Sequence, residues 1–174
     1  MFFIPGIFIS LLTFPGVIVH EAAHMFFCRI RNVAVFNVVF FQVADPVGYV
    51  IHEPTEDFRS TFLISMGPFF INTALCFLIC FPAYLPIHYF HISHPLSYFL
   101  MWLGLSIGMH AIPSNQDASN LFDQARSRVK QLDLLAIVSF PIVGVIFLFN
   151  ILRFFWADLL YGVAIGIGLP SLIY

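Results

Sequence analysis

Three ionisable side chains interrupt the apolar run between Phe2 and Cys28: His20, Glu21 and His24, in the order Val19-His20-Glu21-Ala22-Ala23-His24-Met25. On a helix, His20 and His24 lie one turn apart on one face. Both imidazoles can then reach a single metal ion while Glu21 stands beside them. This is the H-E-x-x-H pattern of zinc-dependent hydrolases. With 7 histidines in 174 residues and glutamate only at positions 21, 53 and 56, a chance match is expected about 0.005 times. Each charged group placed at the centre of a membrane span costs roughly 2.5 to 3.5 kcal/mol. A bound metal, worth on the order of 10 kcal/mol, offsets that cost. Ordinary packing of two histidines inside a helix bundle accounts for their polarity but not for their spacing.

A catalytic zinc keeps three protein ligands and one open position for water, so a third ligand is expected outside the motif. Asp117 is the first candidate, because Pro113 can end the preceding helix and let the chain turn back toward the metal. His110 is the rival, with His52 and Asp123 behind it. Glu21 is expected to act as the acid and base rather than as a ligand, taking a proton from water and later delivering it to a leaving amine. Asn72 and Asn115 are candidates to hydrogen-bond a substrate backbone, a role weighed evenly against helix packing or a turn.

The elements that must position these groups lie in lipid. The composition is 60% hydrophobic and only 9% charged, with mean hydropathy +0.95, which is unsuited to a water-soluble domain. Apolar runs near residues 2 to 27, 60 to 82, 97 to 113, 132 to 150 and 154 to 173 approach the ~20 residues a spanning helix needs. The expected fold is an all-α polytopic membrane protein of about five transmembrane helices, in one domain covering 1–174. The first run lacks a basic n-region and is read as a retained span, not a signal peptide. Arg29, Arg31, Arg59, Arg126, Arg128 and Lys130 fall where alternating spans put them on one side, with Arg153 alone elsewhere. By the positive-inside rule that side is cytoplasmic, and the site is expected toward it.

Between the first two spans, Val33 to Phe41 and Gly48 to His52 are rich in β-branched and aromatic residues around the turn at Asp45-Pro46. They predict a small interfacial β-hairpin. Residues 114–131 read as an amphipathic helix on the cytoplasmic surface. His88, His91 and His94 read as interfacial belt residues rather than ligands. Cys76 and Cys80 read as small core or lipid-facing residues, and Gly162-x3-Gly166 as a helix-packing stripe. No basic stripe with interleaved aromatics suggests nucleic acid.

Taken together, HEAAH at 20–24, GPFFIN at 67–72 and HAIPSNQD at 110–117 resemble the site-2 protease family of intramembrane zinc metalloproteases, over residues 7–120. The resemblance implies a three-span catalytic core with one zinc ion per chain on His20, His24 and Asp117. It also implies Glu21 as acid and base, Asn72 as a substrate-positioning residue, and accessory spans at 132–174. The family's third element usually reads N-x-x-P-x-x-x-x-D-G. Here His110 and Ala118 replace its asparagine and glycine, and the gap from proline to aspartate is one residue shorter.

The expected activity is cleavage of a peptide bond in or beside the transmembrane segment of a membrane-protein substrate. The alternative is a metal-binding transporter or scaffold that does not cut. A di-iron hydroxylase, which H-x-x-x-H also permits, ranks below both, because the chain has no His-His pair.

Overall fold

The computed structural model describes residues 6–92, 94–129 and 133–174. The chain begins with α1 (Gly6–Leu12) and α2 (Phe14–Ile30), then β1 (Val35–Val39) and β2 (Tyr49–His52). Next come α3 (Phe58–Tyr84), which runs into a π-helical turn, α4 (Pro95–Met109), α5 (Asn115–Val129) and α6 (Leu134–Leu152). The described chain closes with α7 (Ala157–Val163), a second π turn, and α8 (Leu169–Ile173).

Two helical stretches are long and apolar enough to cross a membrane, Phe58–Tyr89 and Leu134–Phe155. A third exists if α1 and α2, bent by 87°, form one broken span. The stretches Pro95–Met109 and Ala157–Ile173 are apolar but shorter. Of the about five spans expected, two or three are long and apolar enough to cross a membrane, and the other two are shorter apolar helices. Apolar length does not register breaks: the first run folds at Thr13, the third stops at Met109, and the last is divided by a π turn.

The bend at Thr13 follows from Pro15, which lacks a donor N–H and crowds the preceding turn. The backbone groups freed there are satisfied within the protein, as an apolar surrounding requires. The Thr13 hydroxyl donates to the Ile9 carbonyl (2.7 Å). From α4, the Ser106 hydroxyl donates to the Thr13 carbonyl (2.9 Å) and accepts from the Gly16 N–H (3.1 Å). A Cβ on Gly16 would overlap the Ser106 carbonyl oxygen, so only glycine permits this approach.

The hairpin forms where β-branched residues predicted it. Val38 faces Val50 and Val39 faces Tyr49 in an antiparallel pair, with an irregularity between Val35 and Asn37. It backs onto α2 near the site, since a Cβ on Gly48 would lie 2.8 Å from Cγ of Glu21.

Away from the site, three stripes of small residues at spacing four meet. Cys76 and Cys80 of α3, Gly104 and Gly108 of α4, and Gly162 and Gly166 of the last helical segment lie in mutual contact. Both cysteines are fully buried and free. Small residues let helix backbones approach closely where no water drives association.

Helix α5 is amphipathic as expected, and its apolar face is covered by the protein itself. Its apolar stripe of Ala118, Leu121 and Ala125 is fully buried in a cluster with Phe58, Ala136, Val143 and Ile146, so it pairs with α6. At the start of α3, Asp57 accepts from the Ser60 N–H (3.2 Å) and pairs with Arg31 (2.8 Å). Arg128 donates to the neighbouring Glu56 carbonyl (2.7 Å), so arginines from two segments gather at one end. His88 stacks on Tyr84 with ring centroids 4.6 Å apart, and His94 accepts from the Leu96 N–H (3.2 Å). These contacts give both histidines local structural roles.

Candidate metal centre

His20 and His24 occupy adjacent turns of α2, whose second half runs unbroken because the bend is confined to Thr13. Each ring is oriented by a backbone carbonyl from another helix. Nδ1 of His20 lies 2.6 Å from the His110 carbonyl oxygen, at the end of α4. Nδ1 of His24 lies 2.9 Å from the Ile64 carbonyl oxygen of α3. A carbonyl only accepts, so each Nδ1 carries the proton and each Nε2 turns to the opposite side.

The Ile64 carbonyl is available for a local reason. In an α-helix it would accept from the N–H four residues on, but that residue is Pro68, which has none. The adjacent Gly67 brings α3 against α2, since a Cβ there would overlap the ring of Phe27. The Gly67-Pro68 pair thus closes the two helices together and presents an acceptor to His24.

The two Nε2 atoms lie 3.2 Å apart. Zinc–nitrogen bonds of 2.0–2.1 Å at a tetrahedral angle place two ligand nitrogens about 3.3 Å apart. Oδ2 of Asp117 is 3.6 Å from Nε2 of His24, and one ligand atom from each of the three residues lies within 4.8 Å of the others. The His20, His24 and Asp117 group could therefore hold a metal ion. Two nitrogens and a carboxylate oxygen converging in a buried site need positive charge among them. A proton bridges two of the three, whereas a metal ion satisfies all three.

Asp117 reaches this position as the third residue of a helical N-terminus capped from both sides. Asp117 Oδ2 accepts from the Ser114 N–H (2.9 Å) and hydroxyl (2.6 Å), and Ser114 Oγ accepts from the Asp117 N–H (3.1 Å). This is a capping box with aspartate in place of glutamate. In the protein alone, burial pushes the carboxyl up, but positive charge on the His24 imidazole and its proton shared with Asp117, then charge on His20 and the Ser114 hydroxyl, outweigh it and hold Asp117 well below the usual carboxylate range.

His110 serves through its backbone. Its ring Nε2 meets the Thr13 hydroxyl (2.9 Å), whose proton already goes to Ile9, so the ring donates there. The ring of His110 thus belongs to the α1–α2 bend, and its carbonyl to His20. Asn72 is fully buried, with its NH₂ directed at the carbonyls of Gly16 (3.4 Å), Ile107 (3.2 Å) and His110 (3.1 Å). It ties α2, α3 and α4 together beside the His20 acceptor. Asn115 lies exposed at the start of α5.

Glu21 is 9% exposed, next to the hairpin turn and within electrostatic reach of His24 and Asp117. A cavity of about 450 Å³ opens beside the group, bounded by Val50 and His52 of β2, Ile64 and Ser65 of α3, and Asp117 and Asp123 of α5. His52 and Asp123 line this space without joining the metal group, the one such group among the described residues.

Sequence reasoning missed Ser114 and the Ile64 carbonyl. Both had signals: S-x-x-D for the first, and a proline four residues on for the second. Comparison with protein-family models, curated proteins and solved structures finds no match.

Proposed function

We propose that the chain is an intramembrane zinc metalloprotease of the site-2 protease type, cleaving a peptide bond in or near the transmembrane segment of a membrane-protein substrate. The observation carrying this reading is the convergence of the His20 and His24 Nε2 atoms, 3.2 Å apart, on the Asp117 carboxylate, with Glu21 beside them. Two imidazoles and one carboxylate suit zinc with an open position, the donor set of several zinc peptidases. When bound, zinc would polarise a peptide carbonyl and acidify a water molecule.

The remaining work falls to this chain's own residues. The Glu21 carboxylate would take the proton from the attacking water and deliver it to the departing amine nitrogen. The Ile64 and His110 carbonyls would keep both imidazoles in the tautomer that presents Nε2. A scissile bond inside a substrate helix has its backbone groups already paired, so the helix must open first. The cavity between β2 and Asp117 suits an extended peptide, and strand addition to the hairpin would hold it there. The metal group is assigned to the cytoplasmic side from the distribution of arginines.

The test is Glu21→Gln in purified protein reconstituted with a model transmembrane substrate. Cleavage should fall at least 10³-fold while zinc remains bound at one per chain. Persistent cleavage would overturn the reading. Equal function of both proteins in metal transport or substrate retention would instead establish the carrier or scaffold.

A further inference from the structure

Between Met109 and Asn115 the chain is not helical, so its carbonyls lack the partners a helix would supply. Side chains from elsewhere take three of them, at His110, Ile112 and Pro113. The His110 carbonyl meets His20 Nδ1 and Asn72 Nδ2. The Ile112 carbonyl accepts from Arg153 Nη2 (3.1 Å), and the Pro113 carbonyl from Asn150 Nδ2 (3.1 Å). Ser114 follows at once and caps Asp117. Arg153 is itself held by Asp158, whose Oδ2 accepts from Nε at 2.9 Å. Asn150 is anchored by a bond to the Ile146 carbonyl of its own helix (3.0 Å).

We infer that Asn150 and Arg153 are positioning residues for the metal centre, clamping the 110–114 segment so that the His110 carbonyl and the Asp117 carboxylate stay in register with α2. This rests on His20, His24 and Asp117 holding a metal, and not on the reaction proposed for it. Both residues lie beyond residues 7–120, so the closing spans take part in building the site. Arginine suits the position because its fork serves two partners at once. A lysine gathers its three donors on one flexible point and cannot reproduce the fixed, separated directions of Nε and Nη2.

The experiment uses the full chain in detergent or nanodiscs, stripped with a chelator and titrated with Co²⁺ and with Zn²⁺. Wild type is compared with Asn150→Leu, Arg153→Gln and the milder Arg153→Lys. Ser139→Ala, in α6 but bonded to its own helix at the Leu135 carbonyl, is the control. Each clamp variant should lose about tenfold in metal affinity, within the range for groups that orient ligands. Its visible Co²⁺ absorption should change in shape, and Arg153→Lys should lie between wild type and Arg153→Gln. Ser139→Ala should match wild type in both readouts.

Lowered melting temperatures with affinities within twofold of wild type and an unchanged Co²⁺ spectrum would overturn the clamp, leaving Asn150 and Arg153 as fasteners of the bundle. Failure of wild type to bind either ion would overturn the metal reading, and the clamp with it.

Discussion

Two ends of the α3–α4 contact, each joined by a different third segment, are built on different principles. Around Thr13, Gly16, Asn72, Ser106 and His110, helices α2, α3 and α4 meet through hydrogen bonds to backbone groups. Farther along α3 and α4, Cys76, Cys80, Gly104 and Gly108 meet mainly by close packing, joined by Gly162 and Gly166, with only long thiol contacts to the Gly162 and Met101 carbonyls (3.7 and 3.9 Å). The polar end contains the bend, the helix end and the candidate metal group, whereas at the packed end α3 and α4 run through unbroken and only the last segment carries a π turn, at Ala164–Gly168. A bilayer tolerates irregular backbone only where the protein supplies the missing partners. The hydrogen-bonded knot is what lets α4 stop and α1 turn beside the site.

The largest expected effect separates the two ends. Gly16→Ala places a Cβ against the backbone oxygen of Ser106, which cannot rotate away. It should cost about 3 kcal/mol in unfolding free energy, the upper part of the usual overpacking range. Gly104→Ala meets the Cys80 sulfur, a side-chain atom that can be removed. It should cost about 2 kcal/mol, and Cys80→Ala should recover more than half of that in the double variant. A double-mutant cycle in unfolding assays measures the coupling. Equal rescue of Gly16→Ala by Ser106→Ala would erase the distinction.

Next in size is Pro68→Ala. Alanine restores an N–H that competes with His24 for the Ile64 carbonyl, so the affinity of the candidate site for a metal ion should fall about tenfold. Thermal stability should hold or rise, because proline is unfavourable inside a helix. Isothermal titration beside a melting curve checks both, and a parallel loss of affinity and stability would contradict the assigned role.

The smallest effect lies at the start of α3, about two turns before Ile64. Hydrogen bonds from Ser60 and the Arg31 guanidinium draw Asp57 down to about 2. A folded-state value below the unfolded one means that this stabilisation is complete above about pH 4 and is lost as pH falls toward about 2. Asp57→Asn should flatten that limb of the stability profile without changing metal affinity, as melting across acid pH would read out.

The parts of this arrangement legible in sequence were the periodic and local ones. H-E-x-x-H announces itself because two histidines at i and i+4 share a helix face. Val35–Val39 and Tyr49–His52 pair where β-branched residues cluster. Gly162 and Gly166 pack where their spacing suggested. Asp117 was singled out from Pro113 and from the side on which the arginines fall. The capping role of Ser114 was equally local but went unread.

Only two or three of the expected spans have the length of a full crossing, because hydropathy sums apolarity and is blind to a fold at Thr13. Asn150 and Arg153 could not be anticipated, since their partners lie 37 and 41 positions away. The amphipathic stretch at 115–129 pointed correctly to a helix. Which surface its alanines and leucine would cover depended on α6, and no local pattern encodes that.

The capping box at Asp117 bears on how such a protein is assembled. Its carboxylate is aimed by the first turn of the helix it begins, so a bound ion would not be needed to aim it. Uptake of a metal at this group would then come last in biogenesis, once the chain is inserted and folded, and a protein stripped by a chelator should be rechargeable without passing through an unfolded state.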